Sequence, residues 1–204
     1  MTRVSLTQQV HDTLHPLFRP GTIAIDATAG NGFDTRFLAM HIGASGSVFA
    51  FDIQQQAIET TRKRLQEEGL LDRVALICRG HETILEEIPA ALHGYVDIIL
   101  FNLGYLPKTD KSVITETSTT LKALDSALKL LSVSGYISIL AYPGHPGGRE
   151  ETEAVKAWAK NLPQDSFNVR IHKPETNSGT SPEWIEIVHS PNGHSFGLPH
   201  QQAL

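Results

Sequence analysis

Three aspartates, Asp26, Asp34 and Asp52, frame a glycine loop in IAIDATAGNGFDT and the following run SVFAFD, and the chemistry they suggest is the holding of a nucleotide. Asp26 ends an apolar run that reads as a strand, and Ala27, Thr28, Gly30, Asn31 and Gly32 form the loop after it. Glycine lets a backbone approach a ligand where a side chain would collide. Asp52 ends the next strand-like run, 20 residues beyond Gly32, with Gln54 close behind. A carboxylate there can accept both hydroxyl protons of a ribose. A dinucleotide fingerprint needs G-x-G-x-x-G to hold a pyrophosphate; here Gly30-Asn31-Gly32 runs into Phe33-Asp34-Thr35 and lacks the third glycine. Asp34 would repel a pyrophosphate but suits the amino and sulfonium groups of S-adenosylmethionine, and Asp26 adds a second carboxylate. S-adenosylmethionine is therefore favoured over NAD, although a glycine pair also makes an ordinary turn and Asp34 alone reads as a helix N-cap.

Two later stretches carry polar groups to strand ends. In Arg79-Gly80-His81-Glu82, His81 and Glu82 stand where an adenine ring is expected, and His81 also reads as a cap or surface residue. FNLGYLP follows the apolar run YVDIIL, and Gly104 and Pro107 interrupt regular pairing, so Asn102 sits at the open end of a strand. Ligands of open α/β sheets bind beyond such ends. Cys78, inside VALIC, reads as a core residue, and none of the 10 histidines has metal-ligand spacing with it, so no metal is expected.

The elements that must position these groups alternate. A helix over Leu6 to Phe18 precedes the strand TIAIDAT, the helix DTRFLAMHI, the strand SVFAFD, the helix QQQAIETTRKRLQEEG and the strand VALIC. HETILEEIPAAL then reads as a helix broken near Pro89, YVDIILF as a strand, ETSTTLKALDSALKLL as a helix, YISILAY as a strand and REETEAVKAWAKNL as a helix. Such alternation makes a parallel sheet covered on both faces. SFNVRIHK and EWIEIVHS are joined by a loop too short for a crossover helix, so they should pair antiparallel as a hairpin. The expected organisation is one domain over residues 1–190 with a peripheral or disordered tail over 191–204. No apolar run approaches the roughly 20 residues of a membrane span, and a lone cysteine with no secretory leader points to a reducing, cytoplasmic setting. A net charge of −5 argues against coating nucleic acid electrostatically. Arg3, Arg36, Lys108, Lys111, Lys122, Arg149 and Lys173 could still gather on one rim.

AIDATAGNGFDT, FDIQ, GHE, FNLGYLPKTDKSVIT and YPGHPGGREE together resemble the bacterial rRNA methylase family, whose characterised members are the tRNA wobble-uridine methyltransferases called MnmM. The resemblance runs from about residue 5 to residue 190. It implies an α/β, Rossmann-like class I methyltransferase fold with a mostly parallel seven-stranded sheet and an antiparallel C-terminal hairpin. It also implies transfer of a methyl group from S-adenosylmethionine to the amine of 5-aminomethyl-2-thiouridine in a tRNA anticodon arm. Asn102 resembles the Asn of the Asn-Pro-Pro-Tyr motif of amine methyltransferases, whose side-chain oxygen and a following carbonyl accept hydrogen bonds from the target nitrogen. Leu103 and Gly104 replace the two prolines, and Tyr105 is placed to stack on or hydrogen-bond the base. In the second motif Tyr142 could stack on the flipped-out base, His145 contact base or phosphate or accept a proton, and Arg149 bind phosphate. Gly144, Gly147 and Gly148 would let that loop lie close. A homodimer completing a basic rim would help a chain of this charge grip tRNA. An rRNA or small-amine methyltransferase and a noncatalytic S-adenosylmethionine-binding module are the alternatives.

Overall fold

Alternating strand and helix periods wind the chain into one sheet. The computed structural model describes residues 4–104, 115–172 and 180–190. In order, α1 (Leu6–Leu14), β1 (Ile23–Asp26), α2 (Phe33–His41), β2 (Ser47–Phe51), α3 (Gln55–Glu67), β3 (Val74–Ile77) and α4 (Ile84–Glu87) lead to β4 (Val96–Leu103). Then come α5 (Thr117–Leu130), β5 (Leu131–Ala141), α6 (Gly148–Lys160), β6 (Phe167–His172) and β7 (Glu183–His189). The strand order is β3-β2-β1-β4-β5-β7-β6. β1 to β5 are parallel, and β7 pairs antiparallel with both β5 and β6, as the hairpin reading requires.

Alternation along β4 divides the core. Ile99 and Phe101 face α4, α5 and α6 with Leu124, Ile137, Ile139 and Val155. Ile98 and Leu100 face α1, α2 and α3 with Leu14, Leu38 and Leu65. Each such side chain, fully withdrawn from water, contributes about 1.5–3 kcal/mol. This two-sided packing holds the carboxyl ends of β1, β2 and β4 level, and those ends carry the polar residues singled out above.

Several local expectations change. The first helix stops at Leu14, and His15–Leu17 tightens into a 3-10 turn because Pro16 has no N–H to give. β4 runs on through Asn102 and Leu103, which pair with Leu140 and Ala141. β5 starts at Leu131 rather than Tyr136, its register shifting through Ser134 at φ 67. Cys78 is exposed, not core, because it leaves the end of β3 at the sheet's edge. No helix among the described residues is long and apolar enough to cross a membrane. The tail 191–204, Arg3, Tyr105, Lys108, Lys111 and Lys173 lie outside the described residues.

Candidate functional site

The loop after β1 is built by side chains beneath it. Asp26 is 0% exposed; it accepts hydrogen bonds from Thr28 N at 3.1 Å and Thr35 Oγ1 at 2.6 Å. It does not open onto the cleft as a carboxylate awaiting a cation, because the turn it organises closes over it. Burial, and then the charge of Asp34, push its carboxyl up to about 7, against the pull of the bonds from Thr35 and Thr28. Ala29 N donates to Phe51 O and Gly30 N to Asp52 Oδ2, both across to the end of β2. Gln54 N donates to Asp52 Oδ1 at 2.8 Å, so Asp52 joins the loop to the start of α3. Burial raises the Asp52 carboxyl, and these two backbone bonds oppose the rise.

The far side of the loop rests on α3. Thr61 Oγ1 donates to Gly30 O at 3.1 Å and Arg64 Nε to Asn31 O at 2.9 Å. Gly32 caps α2 at φ 76, and a Cβ there would lie 2.7 Å from Thr61 Oγ1 and 3.0 Å from Thr61 Cα. Gly32→Ala therefore combines left-handed strain with a clash, together about 1–3 kcal/mol. We expect its thermal midpoint to fall by roughly 3–10 °C, read by calorimetry; an unchanged midpoint would mean that the turn relaxes out of its left-handed conformation and that Thr61 also gives way.

At the end of β4, Asn102 N donates to Thr28 Oγ1 at 2.7 Å, tying strand to loop. Its side-chain Nδ2 lies 2.5 Å from Asp34 Oδ2. A carboxylate only accepts, so the amide NH₂ must face Asp34 and Oδ1 must face away as an acceptor. His11 Nε2 contacts the other oxygen, Asp34 Oδ1, at 2.6 Å. Leu103 does not present its side chain to a substrate: it is 0% exposed within the core, and its carbonyl accepts Tyr142 N at 3.2 Å. Gly104 O accepts Thr115 N at 3.0 Å.

The loop after β5 lies beside this point. Tyr142 is partly exposed, with its phenol bonded to Thr7 and raised chiefly by burial. A Cβ on Gly104 would sit 3.6 Å from Tyr142 Cβ and 3.7 Å from His145 Nε2, so the two motifs meet there. A Cβ on Gly148 would fall 2.6 Å from Tyr142 O and 2.7 Å from His145 Nε2, which is why α6 opens on a glycine. Arg149 is exposed at the start of α6 and ion-pairs with no described residue. The basic rim does not form from Arg36 and Lys122. They lie on helices of opposite sheet faces, beside Glu68 at 2.5 Å and Glu86 at 3.8 Å respectively.

His81 opens a 3-10 turn beyond β3 and is buried, neither a surface residue nor a side-chain cap. Its Nε2 lies 3.5 Å from Thr120 Oγ1, its edge meets Phe101, and burial holds its pKa below the ordinary value. Glu82 follows it half-buried. Ile53, 65% exposed directly after Asp52, offers the apolar surface a purine would need. Its signal is an isoleucine between a polar Asp and Gln, where no core pattern asks for one. His11 and Thr61 were not legible as site residues, since each acts across more than 20 residues of chain. Among the described residues, no three His, Cys, Asp or Glu side chains are grouped to hold a metal ion.

Comparison with known proteins gives a consistent result. The family model described as "Putative rRNA methylase" matches residues 48–188. The Arabidopsis thaliana tRNA (mnm(5)s(2)U34)-methyltransferase, chloroplastic, is 41% identical over 79% of this chain and 61% of its own length, so the chain spans about three fifths of that relative. The crystal structure of a candidate rRNA-methylase from Clostridium thermocellum superposes with a TM-score of 0.86 at 38% identity, covering 93% of this chain and 100% of that one. A candidate methyltransferase from Streptococcus mutans, solved in complex with SAH, gives 0.80 at 35% identity over 92% and 99%. The sheet with its antiparallel final strands is the Rossmann-like methyltransferase fold of these neighbours.

Proposed function

The chain belongs to the rRNA methylase family, and from that premise we propose that it methylates the primary amine of 5-aminomethyl-2-thiouridine at the tRNA wobble position, using S-adenosylmethionine and giving 5-methylaminomethyl-2-thiouridine. The observation that carries this reading is the Asn102 amide, oriented by Asp34 so that a carbonyl oxygen stands at the end of β4. The reaction named for the Arabidopsis relative supports the acceptor, and SAH in the Streptococcus neighbour supports the cofactor.

The residues fit that cofactor. Asp34 would set negative charge at the head of α2 against its amino and sulfonium groups, Asp52 would offer acceptors to its ribose hydroxyls, Gly30 and Gly32 would allow close backbone approach, and the exposed Ile53 would cover a purine face. When bound, S-adenosylmethionine supplies an electrophilic methyl group on a positively charged sulfur. Asn102 Oδ1 accepts one N–H of the neutral target amine and so fixes where its lone pair points, which is worth most when the geometry is set before reaction. Tyr142 and His145 flank the base, Arg149 contacts phosphate, and the surplus amine proton leaves to solvent. Tyr105 belongs to this reading as a base contact, though it lies outside the described residues.

Incubating the protein with S-adenosylmethionine and tRNA carrying 5-aminomethyl-2-thiouridine should add one methyl group at the wobble nucleoside, read by nucleoside mass spectrometry. No gain with this tRNA, with cofactor binding intact by calorimetry, would reject the acceptor. Asp52→Ala should weaken S-adenosylhomocysteine binding about 10- to 100-fold by calorimetry, the worth of hydrogen bonds to a charged group. Unchanged affinity would remove Asp52 from the ribose site.

A further inference from the structure

His11 comes from α1, before the first strand, yet its imidazole reaches the residue that orients Asn102. Its Nε2 lies 2.6 Å from Asp34 Oδ1, and Asp34 Oδ2 lies 2.5 Å from Asn102 Nδ2. The three groups form one chain in which each carboxylate oxygen takes one donor. The ring has little freedom. It stacks on Phe37 with centroids 3.7 Å apart and planes 1° from parallel, and Phe37 is braced by Phe18 and His41. His11 and Asp34 are both mostly withdrawn from water, at 16% and 13% side-chain exposure.

An aspartate held by one donor can turn about its terminal torsion, which is broad and two-fold. A turned carboxylate would release the Asn102 amide, whose two ends are nearly the same shape. The flipped amide would then present NH₂ to an amine that needs an acceptor. We infer that His11 is a positioning residue for methyl transfer, fixing the plane of Asp34 so that Asn102 keeps Oδ1 toward the target nitrogen. The inference rests on the reading of Asn102 as the amine's acceptor.

The test uses His11→Phe, which keeps an aromatic ring on Phe37 but removes the donor, and His11→Gln, whose amide N–H has a similar reach. Asn102→Ala is the control, and methylation of wobble-modified tRNA is the assay. His11→Phe should lower kcat about 10-fold or more, since small misplacements carry costs of this order. KM for tRNA, S-adenosylhomocysteine affinity and the thermal midpoint should stay near those of the unmodified protein, and His11→Gln should recover most of the rate. His11→Phe at full rate while Asn102→Ala is inactive would overturn the inference and leave the proposed function standing. Equal losses in both His11 variants, with a lowered midpoint, would reduce His11 to a packing role and also overturn it. Full rate in Asn102→Ala would instead strike at the reading of Asn102 itself.

Discussion

Asn102→Ala is expected to slow methylation of the wobble amine by about 100-fold or more while S-adenosylhomocysteine binds within about three-fold of its affinity for the unaltered protein. The separation follows from which atoms the substitution removes. The backbone N–H that holds Thr28 Oγ1 remains, so the loop after β1 keeps its tie to β4. The lost group is the amide whose Nδ2 faces Asp34 and whose oxygen faces outward. Removing one preorganised hydrogen-bonding group from a reacting centre costs about 100- to 1000-fold in rate. Asn102→Asp should be no better, because a second carboxylate would meet Asp34 Oδ2 and either swing away or hold a proton. Single-turnover kinetics with saturating cofactor would check both variants. A rate within three-fold of normal for Asn102→Ala would remove the acceptor role and leave the strand end merely structural.

The second large effect is on stability and belongs to Asp26. Its carboxyl is pushed up to about 7 by burial and by Asp34, whereas an unfolded aspartate titrates near 3.9. Between about pH 4 and pH 7 the folded protein therefore binds a proton that the unfolded chain has released. Stability attributable to this group is greatest at the acid end of that window and falls as pH rises through it. The full difference is of order 4 kcal/mol. Asp26→Asn removes the ionisation and keeps the shape: its oxygen can accept Thr28 N, and its amide can donate to Thr35 Oγ1. We expect urea unfolding to show the variant more stable than the unaltered protein at pH 8 by a few kcal/mol, with the difference shrinking toward pH 5. The shift of His81, set by burial and Glu82, occurs in both proteins and cancels in the comparison. Parallel stability profiles would mean that Asp26 is ionised in the fold and satisfied by its hydrogen bonds.

The order of elements was legible because strand and helix periods leave plain marks, and because Gly30, Gly32 and Gly69 punctuate them. The Asn102 position was legible for the same reason: a polar side chain after YVDIIL has few uses inside a sheet. What could not be read is set by how the chain packs, in several cases by partners distant in sequence. Leu103 looks like part of an open loop until its pairing with Ala141 carries β4 two residues further. Asp26 reads as a cleft carboxylate until Thr35 and Thr28 close over it, and Cys78 reads as core until β3 proves to be an edge. His11 carries no local signal at all, since its meaning depends on where α1 packs.

The place of β7 between β5 and β6 has a consequence for how the protein is made. Synthesis delivers β6 before the strand that joins it to the sheet, so β6 emerges from the ribosome with no neighbour, and β5 keeps a bare margin. A chain stalled or cleaved before Glu183 would present both margins at once, and unpaired strand edges recruit other chains. Residues 183–189 thus act as the clasp of the fold, and copies that end before them expose strand edges that favour aggregation.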